Sequence, residues 1–192
     1  MKIKLSMIIL VLLFMGGFIF SGCGSASYSI NGSVGQKIYT AYNMWYEADK
    51  EDAMWAINYK TGTMIPAGTE VSGMEVKKKK IFFITVDDRK KFVVNFNDKF
   101  HPGKKSEDYA GMMFLKKDFD QLTKGMSETE MNGINEGIIM VGMSKKAVIV
   151  AYGYPPEHKT PSLNDNIWTY WLNRMKSTVI YFDENGKTMK PK

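Results

Sequence analysis

The sequence contains one cysteine and two histidines among its 192 residues. A single thiol excludes a disulfide within the chain and a cluster of thiolate metal ligands. The histidines, His101 and His158, are far apart and have no potential ligands around them at metal-binding spacing. We therefore expect neither a metal nor a cofactor. The content of apolar and aromatic residues is high enough for the chain to fold without one.

The chain also lacks a strong excess of one charge. Its formal net charge is +6, and it is +4 without residues 1–22, which contain Lys2 and Lys4 but no acid. Basic residues are spread along the chain rather than concentrated on a recognisable module, so we expect no nucleic-acid partner. One dense run, four lysines at 77–80, is typical of a solvated hairpin end that discourages edge-to-edge association. Contact with anionic lipid head groups is the alternative.

Recognisable catalytic patterns are missing as well. Nucleophilic catalysis needs Ser or Cys beside a His and an orienting acid, and neither histidine lies in such a motif. The carboxylate pairs Asp87-Asp88 and Asp118 with Asp120 are typical of solvated turns rather than of glycoside hydrolases. The twelve methionines after residue 22 could bind Cu(I), but they are scattered, and methionine is common core filling. We expect a protein that is not an enzyme.

Residues 1–22 have the three parts of a secretory signal, which are a basic start, an apolar run and a small-residue cleavage site. The uncharged run at 5–20 has 16 residues, fewer than the roughly 20 that a membrane-spanning helix needs. It is followed by Ser21-Gly22-Cys23, which resembles the lipobox of bacterial lipoproteins. The resemblance implies that residues 1–22 are removed and that Cys23 is acylated, palmitate included. An uncleaved anchor is the alternative.

The residue after the cysteine bears on the location. Gly24 stands where enterobacterial lipoproteins of the inner membrane have Asp. The lipoprotein resemblance therefore implies the periplasmic side of the outer membrane, with the inner membrane as the alternative. The membrane would be a partner through the N-terminal lipid.

Residues 23–35 are small and polar and predict a flexible tether. Residues 36–120 contain several short β-branched and aromatic runs with turn residues between them. This pattern predicts a small all-β domain, either an SH3-like barrel or a sandwich.

Helical signals begin later in the chain. Ser127 and Glu130 fit a capping box, and Gly137 fits the end of that helix. A second helix is expected from the N-cap Ser144 to Gly153, where Pro155-Pro156 forbids its continuation. Two strands at 167–173 and 177–182 and a tight turn at 183–186 follow. Residues 121–192 are therefore predicted to form an α+β domain.

Four sequence pieces of this region, in this order and spacing, resemble the SmpA/OmlA (BamE-like) outer-membrane lipoprotein family. They are a Gly-Met-Ser helix start, a Gly-x-Pro helix end, a Trp-x-Tyr strand and a final Asp-x-x-Gly-Lys. The residues that carry the motif are Gly142, Met143, Ser144, Gly153, Pro155, Pro156, Trp168, Tyr170 and Gly186. The resemblance covers about residues 121–192. It implies two helices packed on a three-stranded antiparallel sheet, and a non-catalytic scaffold in outer-membrane assembly or integrity.

Aromatic residues supply the candidate docking site. Strand alternation places Trp168 and Tyr170 on one face and Trp171 on the other, where Tyr154 or Tyr181 could join it. An exposed cluster of this kind would bind another outer-membrane or periplasmic protein. The alternative is that all five side chains belong to the core. A secreted-enzyme inhibitor or ligand-binding module of similar fold is the alternative function, because one fold serves many functions.

Overall fold

The computed structural model of the protein describes residues 36–50 and 52–190. The predicted signal segment, Cys23 and the predicted tether at 23–35 lie outside the described residues. Among the residues that are described, no helix is both long enough and apolar enough to cross a membrane.

The first part of the described chain is built from short strands and one helix. The strands are β1 (Ile38–Thr40), β2 (Met44–Tyr46), β3 (Ala53–Trp55), β4 (Thr63–Ile65), β5 (Glu70–Lys77), β6 (Lys80–Thr85), β7 (Lys91–Asn95) and β8 (Phe114–Leu115). Helix α1 (Ser106–Met113) precedes β8, and short 3-10 turns lie at Ala48–Lys50 and Asp98–Phe100. The remaining elements are α2 (Phe119–Thr123), α3 (Glu128–Glu136), α4 (Lys145–Tyr152), β9 (Ile167–Trp171) and β10 (Ser177–Tyr181).

Six strands form one curled sheet in the order β3-β7-β6-β5-β1-β8. Its centre is the antiparallel meander β5–β6–β7, whose alternate side chains are buried, as period-2 patterning requires. Gly73, at φ +57, lies in a register shift between Ser72 and Glu75, where β5 bends. Helix α1 packs Tyr109 and Met113 into the same hydrophobic cluster as the sheet residues, so the sheet is a half-barrel covered by one helix.

The second hydrophobic cluster is formed by α3, α4 and the β9–β10 hairpin. Its fully buried side chains include Ile134, Met143, Val148 and Trp168. Among the residues that the structure describes, strands β9 and β10 pair only with each other, and β2 and β4 form a further two-stranded sheet.

The predicted fold class is therefore wrong, although an α+β composition is retained. Residues 36–120 form neither an SH3-like barrel nor a sandwich, but one open curled sheet with a helix on it. Residues 121–192 lack the three-stranded sheet of the two-helix BamE-like domain, because β9 and β10 are the only strands there among the described residues. After β10 the described chain, up to residue 190, makes only single bridges, Phe182 to Thr188 and Ser144 to Lys187.

The local predictions at the helix ends are confirmed. The Ser127 side chain accepts from the Glu130 amide, the Glu130 carboxylate accepts from the Ser127 amide, and Gly137 ends α3 in the left-handed conformation. Ser144 caps α4 by accepting from the Ala147 amide, and α4 ends at Gly153 with φ 78. Both prolines that follow are buried.

Candidate functional site

The β9–β10 hairpin sorts its aromatic residues into two faces. The register pairs Trp168 with Ile180 and Ile167 with Tyr181, and residues paired across an antiparallel ladder share a face. Trp168, Tyr170 and Ile180 therefore lie on one face. Ile167, Thr169, Trp171, Val179 and Tyr181 lie on the other, which we name the outer ribbon face.

The inner face belongs to the core. Trp168 and Tyr170 are buried, and the Trp168 ring meets Phe182 edge to face at 4.7 Å between centroids. The Tyr170 hydroxyl donates to the Gly153 carbonyl at 3.0 Å, and burial raises the pKa of Tyr170. These two predicted docking residues hold the hairpin on the helices and are not accessible to a partner.

The outer ribbon face keeps two of the five predicted docking residues together. Trp171 and Tyr181 are half-buried, as are Thr169 and Val179 between them, while Ile167 is 55% exposed. The Trp171 indole nitrogen is enclosed and has no hydrogen-bond partner among the described residues. An apolar strip of this kind can exchange water for a partner's side chains.

The hairpin ends in a well-formed tip at residues 172–176. The Asn173 side chain accepts from the amides of Met175 and Lys176 at 2.9 and 2.8 Å. The tip leaves Met175 92% exposed between the cations Arg174 and Lys176. The Arg174 guanidinium lies over the Trp55 ring at 5.6 Å, so the tip also contacts the half-barrel.

Tyr154, the fifth predicted docking residue, lies elsewhere. Its ring packs edge to face on Tyr42, 6.0 Å away, and it lines a separate cleft of about 360 Å³. Leu115, Ile149 and Lys146 also line that cleft. The structure does not bring Tyr154 to Trp171 and Tyr181.

Two residues of the predicted motif pieces, Ser144 and Lys187, contact the carboxylate of Glu130. One carboxylate oxygen accepts from the Ser127 amide at 2.9 Å and from the Ser127 hydroxyl at 3.2 Å. The other accepts from the Ser144 amide at 2.8 Å and from the Lys187 ammonium at 3.2 Å. Desolvation opposes ionisation, but the hydrogen bonds from Ser144, Ser127 and Lys187 outweigh it and lower the pKa of Glu130 to about 2.

The glycines of the motif have conformational roles. Gly142 and Gly186 have φ +89 and φ +70, and Gly153 has φ +78. The Gly142 amide donates to the Thr188 carbonyl, and Met143 is completely buried behind it. A Cβ on Gly153 would lie 2.8 Å from the Tyr42 ring and from the Asn58 amide nitrogen, so this position also allows a close approach of the two halves.

A polar junction between the two hydrophobic clusters was not predicted from the sequence. The Asn43 side chain donates to the Ile134 carbonyl at 2.7 Å, and the Asn58 side chain donates to the Tyr152 carbonyl at 3.0 Å. The Lys60 ammonium donates to the same Tyr152 carbonyl at 2.5 Å and lies 4.3 Å from the Trp45 ring centroid. Desolvation lowers the pKa of Lys60 well below its usual value.

The two histidines have different surroundings. His101 is buried between Phe96 and Tyr109, with ring centroids 6.0 and 4.5 Å away, and burial lowers its pKa to about 4. The Ala56 carbonyl lies near enough to favour the charged ring but is not aligned as a hydrogen-bond acceptor. His158 lies beside Phe100, and its Nδ1 atom is 3.4 Å from the Phe100 carbonyl oxygen.

Within residues 36–50 and 52–190, no group of three His, Asp or Glu side chains is placed to hold a metal ion. The arrangement of the outer ribbon face and the tip is suited to contact with another protein. No family model, no curated protein and no solved structure matches the chain.

Proposed function

We propose that the protein is a lipid-anchored envelope lipoprotein that acts without catalysis, by docking to another envelope protein in outer-membrane assembly or integrity. The observation that carries the proposal is the N-terminal sequence, in which a basic start and an uncharged run at 5–20 lead to Ser21-Gly22-Cys23. Acylation of Cys23 would hold the folded residues on the periplasmic side of the outer membrane.

The outer ribbon face and its tip support the docking role. Trp171 and Tyr181 offer rigid, amphipathic contact area, the residue types enriched at interface hot spots. Met175 projects between Arg174 and Lys176, so the matching partner surface is an apolar pocket with an acidic rim. The partner we propose is an envelope protein with such a pocket.

The sequence resemblance to SmpA/OmlA proteins agrees with an envelope role. The structure adds no support to that resemblance, because the described residues of the 121–192 region lack the three-stranded sheet that it implied. The motif residues from Gly142 to Gly186 are explained by helix ends, a buried methionine and turns. The proposal therefore rests on the N-terminal sequence and on the ribbon, and not on a shared domain.

Metabolic labelling tests the anchor. The chain should incorporate labelled palmitate and be processed to a shorter form that fractionates with membranes. Cys23→Ser should abolish the label and leave the unprocessed precursor, because the acyl acceptor is the thiol. A Cys23→Ser variant that still acquires lipid, or a native chain that remains unprocessed in the cytosol, would end the anchor proposal.

Site-specific photocrosslinking tests the docking face. A photoreactive residue at Ile167, on the outer ribbon face, should give a crosslink to a membrane protein in intact envelopes. Tyr181→Glu should weaken that crosslink, because Tyr181 lies opposite Ile167 and a carboxylate there opposes an acidic partner. The control is the same photoreactive residue at Val86, an exposed position in the β6–β7 turn. Equal products at both positions would contradict the docking face, and capture of secreted hydrolases instead would favour an inhibitor.

A further inference from the structure

One cleft of the described residues is lined by four lysines that come from two separate loops. Lys78 and Lys79 are the two turn residues of the β5–β6 hairpin, and Lys104 and Lys105 precede α1. The cleft has a volume of about 420 Å³, and Phe96 also lines it. We name this site the lysine cleft.

The fold fixes the two loops against each other. The Phe96 amide donates to the Lys79 carbonyl at 2.9 Å, which holds the hairpin turn beside β7. The buried Ser106 hydroxyl donates to the Lys77 carbonyl at 2.8 Å, which holds the start of α1 against the same hairpin. The lysines therefore meet through specific backbone contacts between segments that are almost 30 residues apart in sequence.

The charge of the cleft is only partly neutralised. Asp98 and Glu107 are its acidic lining residues, and Lys104 is paired with Glu157 at 2.8 Å. Within the described part of the chain, Lys78, Lys79 and Lys105 are exposed and make no ion pair. Ammonium groups above an apolar floor provide the point charges and donors that a phosphate monoanion needs.

Strand pairing shows where the chain enters this end of the sheet. β1 is antiparallel to β5, with Tyr39 opposite Glu70 and Ile38 opposite Val71. The backbone from Ile38 back to Gln36 therefore runs toward the Lys77 end of β5, which is the hairpin that carries Lys78 and Lys79. Gln36 lies thirteen positions after Cys23, a distance of at most roughly 45 Å when the chain is extended.

We propose that the lysine cleft binds the phosphate head groups of anionic phospholipids and turns this end of the half-barrel toward the membrane. The proposal extends the proposed function, because a lipid on Cys23 would hold the lysine cleft within reach of the bilayer. A lipid chain with one electrostatic contact also gives firmer attachment than the chain alone. Each lysine near an anionic bilayer contributes about 1 kcal/mol, or about fivefold in partitioning.

The test measures vesicle binding without the lipid anchor. Residues 23–192 with Cys23→Ser are used, since every described contact lies within residues 36–190 and no acyl chain is then attached. Sedimentation with vesicles of phosphatidylcholine and phosphatidylglycerol should show binding at low salt that weakens as salt rises. Vesicles of phosphatidylcholine alone should bind far less.

Two matched double variants decide whether the cleft is responsible. Lys78→Gln with Lys79→Gln should lower partitioning into the anionic vesicles roughly 25-fold, from about fivefold per lysine. Arg89→Gln with Lys91→Gln removes two exposed cations, one in the β6–β7 turn and one at the start of β7, at the opposite end of β6. This pair should change partitioning less than threefold. Both pairs keep the backbone hydrogen bonds, and thermal melts should confirm that both variants fold.

The vesicle experiment tests the lysine cleft independently of the proposed lipid anchor on Cys23. Equal losses in the two double variants, equal binding to neutral vesicles, or heparin binding as tight as vesicle binding would each overturn it. The result does not depend on acylation, because the tested chain has none. Failed palmitate labelling of Cys23 would remove the anchor and leave a positive vesicle result standing.

Discussion

Glu130 is the residue whose removal has the most clearly defined consequence for stability. It is the only acid that contacts the starts of both α3 and α4 within the described residues, through Ser127 and Ser144, and it also pairs with Lys187. Its side chain is only 5% exposed. In Glu130→Gln, one carboxylate oxygen becomes an NH₂ group, which cannot accept, so either the Ser127 amide or the Ser144 amide loses its acceptor.

The size of the effect follows from the pKa. Folding lowers the pKa of Glu130 from 4.5 to about 2, a difference of about 2.5 pH units, and each unit corresponds to 1.36 kcal/mol. The ionised carboxylate therefore stabilises the fold by roughly 3 kcal/mol. Because the folded pKa is the lower one, this contribution is complete above about pH 4.5 and is lost as the pH falls through 4.5 toward 2.

Urea unfolding followed by tryptophan fluorescence measures this contribution. At pH 7, Glu130→Gln should lower the free energy of unfolding by about 3 kcal/mol. The difference between the wild-type protein and the variant should shrink steadily below pH 4.5. Glu128→Gln is the control, because Glu128 is exposed in the same first turn of α3 and should change stability by less than about 1 kcal/mol.

Two results would refute this reasoning. A Glu130→Gln variant as stable as Glu128→Gln would mean that the hydrogen bonds around the carboxylate contribute nothing net. A large difference that stays constant from pH 7 to pH 3 would mean that packing, and not the ionised carboxylate, is responsible.

Two further predictions concern buried positions. Burial lowers the pKa of His101 from 6.5 to about 4, so the free energy of unfolding of the wild-type protein should fall by roughly 3 kcal/mol as the pH drops from 6.5 to 4. In His101→Phe it should fall little over that range. Equal losses of the two proteins in urea unfolding would contradict this prediction. Gly153→Ala should destabilise the protein by about 2–5 kcal/mol, because the new Cβ has a strained φ and overlaps with Tyr42. Gly142→Ala should cost only about 1–2 kcal/mol, because its φ is also positive but the space around it is open. Equal melting temperatures of the two variants would disprove the close approach of Gly153 to Tyr42.

The sequence predicted best the features that depend on a few adjacent residues. The capping box of Ser127 and Glu130, the N-cap Ser144 and the stop at Gly153 were all predicted, because a cap is decided by side chains within one turn. The alternation along β9 was predicted for the same reason. None of these features required knowledge of distant contacts.

The sheet could not be predicted in this way. Strands β3 and β8 have three and two residues, and β3 joins the sheet by pairing in parallel with β7, about 40 residues later. Helix α1 contains Gly111 and has little apolar periodicity, so its segment gave no helical signal. The local pattern at 53–59 predicted a strand, but long-range pairing determines where β3 and β8 join the sheet and tertiary packing holds α1, and local patterns report neither.

Each candidate site also has a part that the sequence predicted and a part that depends on distant contacts. Alternation correctly separated Trp168 and Tyr170 from Trp171, but only the pairing register shows that Tyr181 is on the side of Ile167 and that Tyr154 is not nearby. The run of lysines at 77–80 is visible in the sequence, whereas its meeting with Lys104 and Lys105 depends on the contacts of Phe96 and Ser106.

The polar junction bears on the predicted boundary between residues 36–120 and 121–192, which stays a prediction. Each half supplies most of one hydrophobic cluster, which favours two domains, although Ala67 belongs to the second cluster and Tyr154 packs against the first. The contacts across the boundary are directional, however, since Asn43 and Asn58 are buried and bind backbone carbonyls of α3 and α4. Separating the halves would remove the Ile134 carbonyl from Asn43 and the Tyr152 carbonyl from both Asn58 and Lys60. Hydrogen bonds of this kind define one relative orientation, and a fixed orientation is what a protein needs if its lysine cleft and its ribbon are to meet two different partners at once.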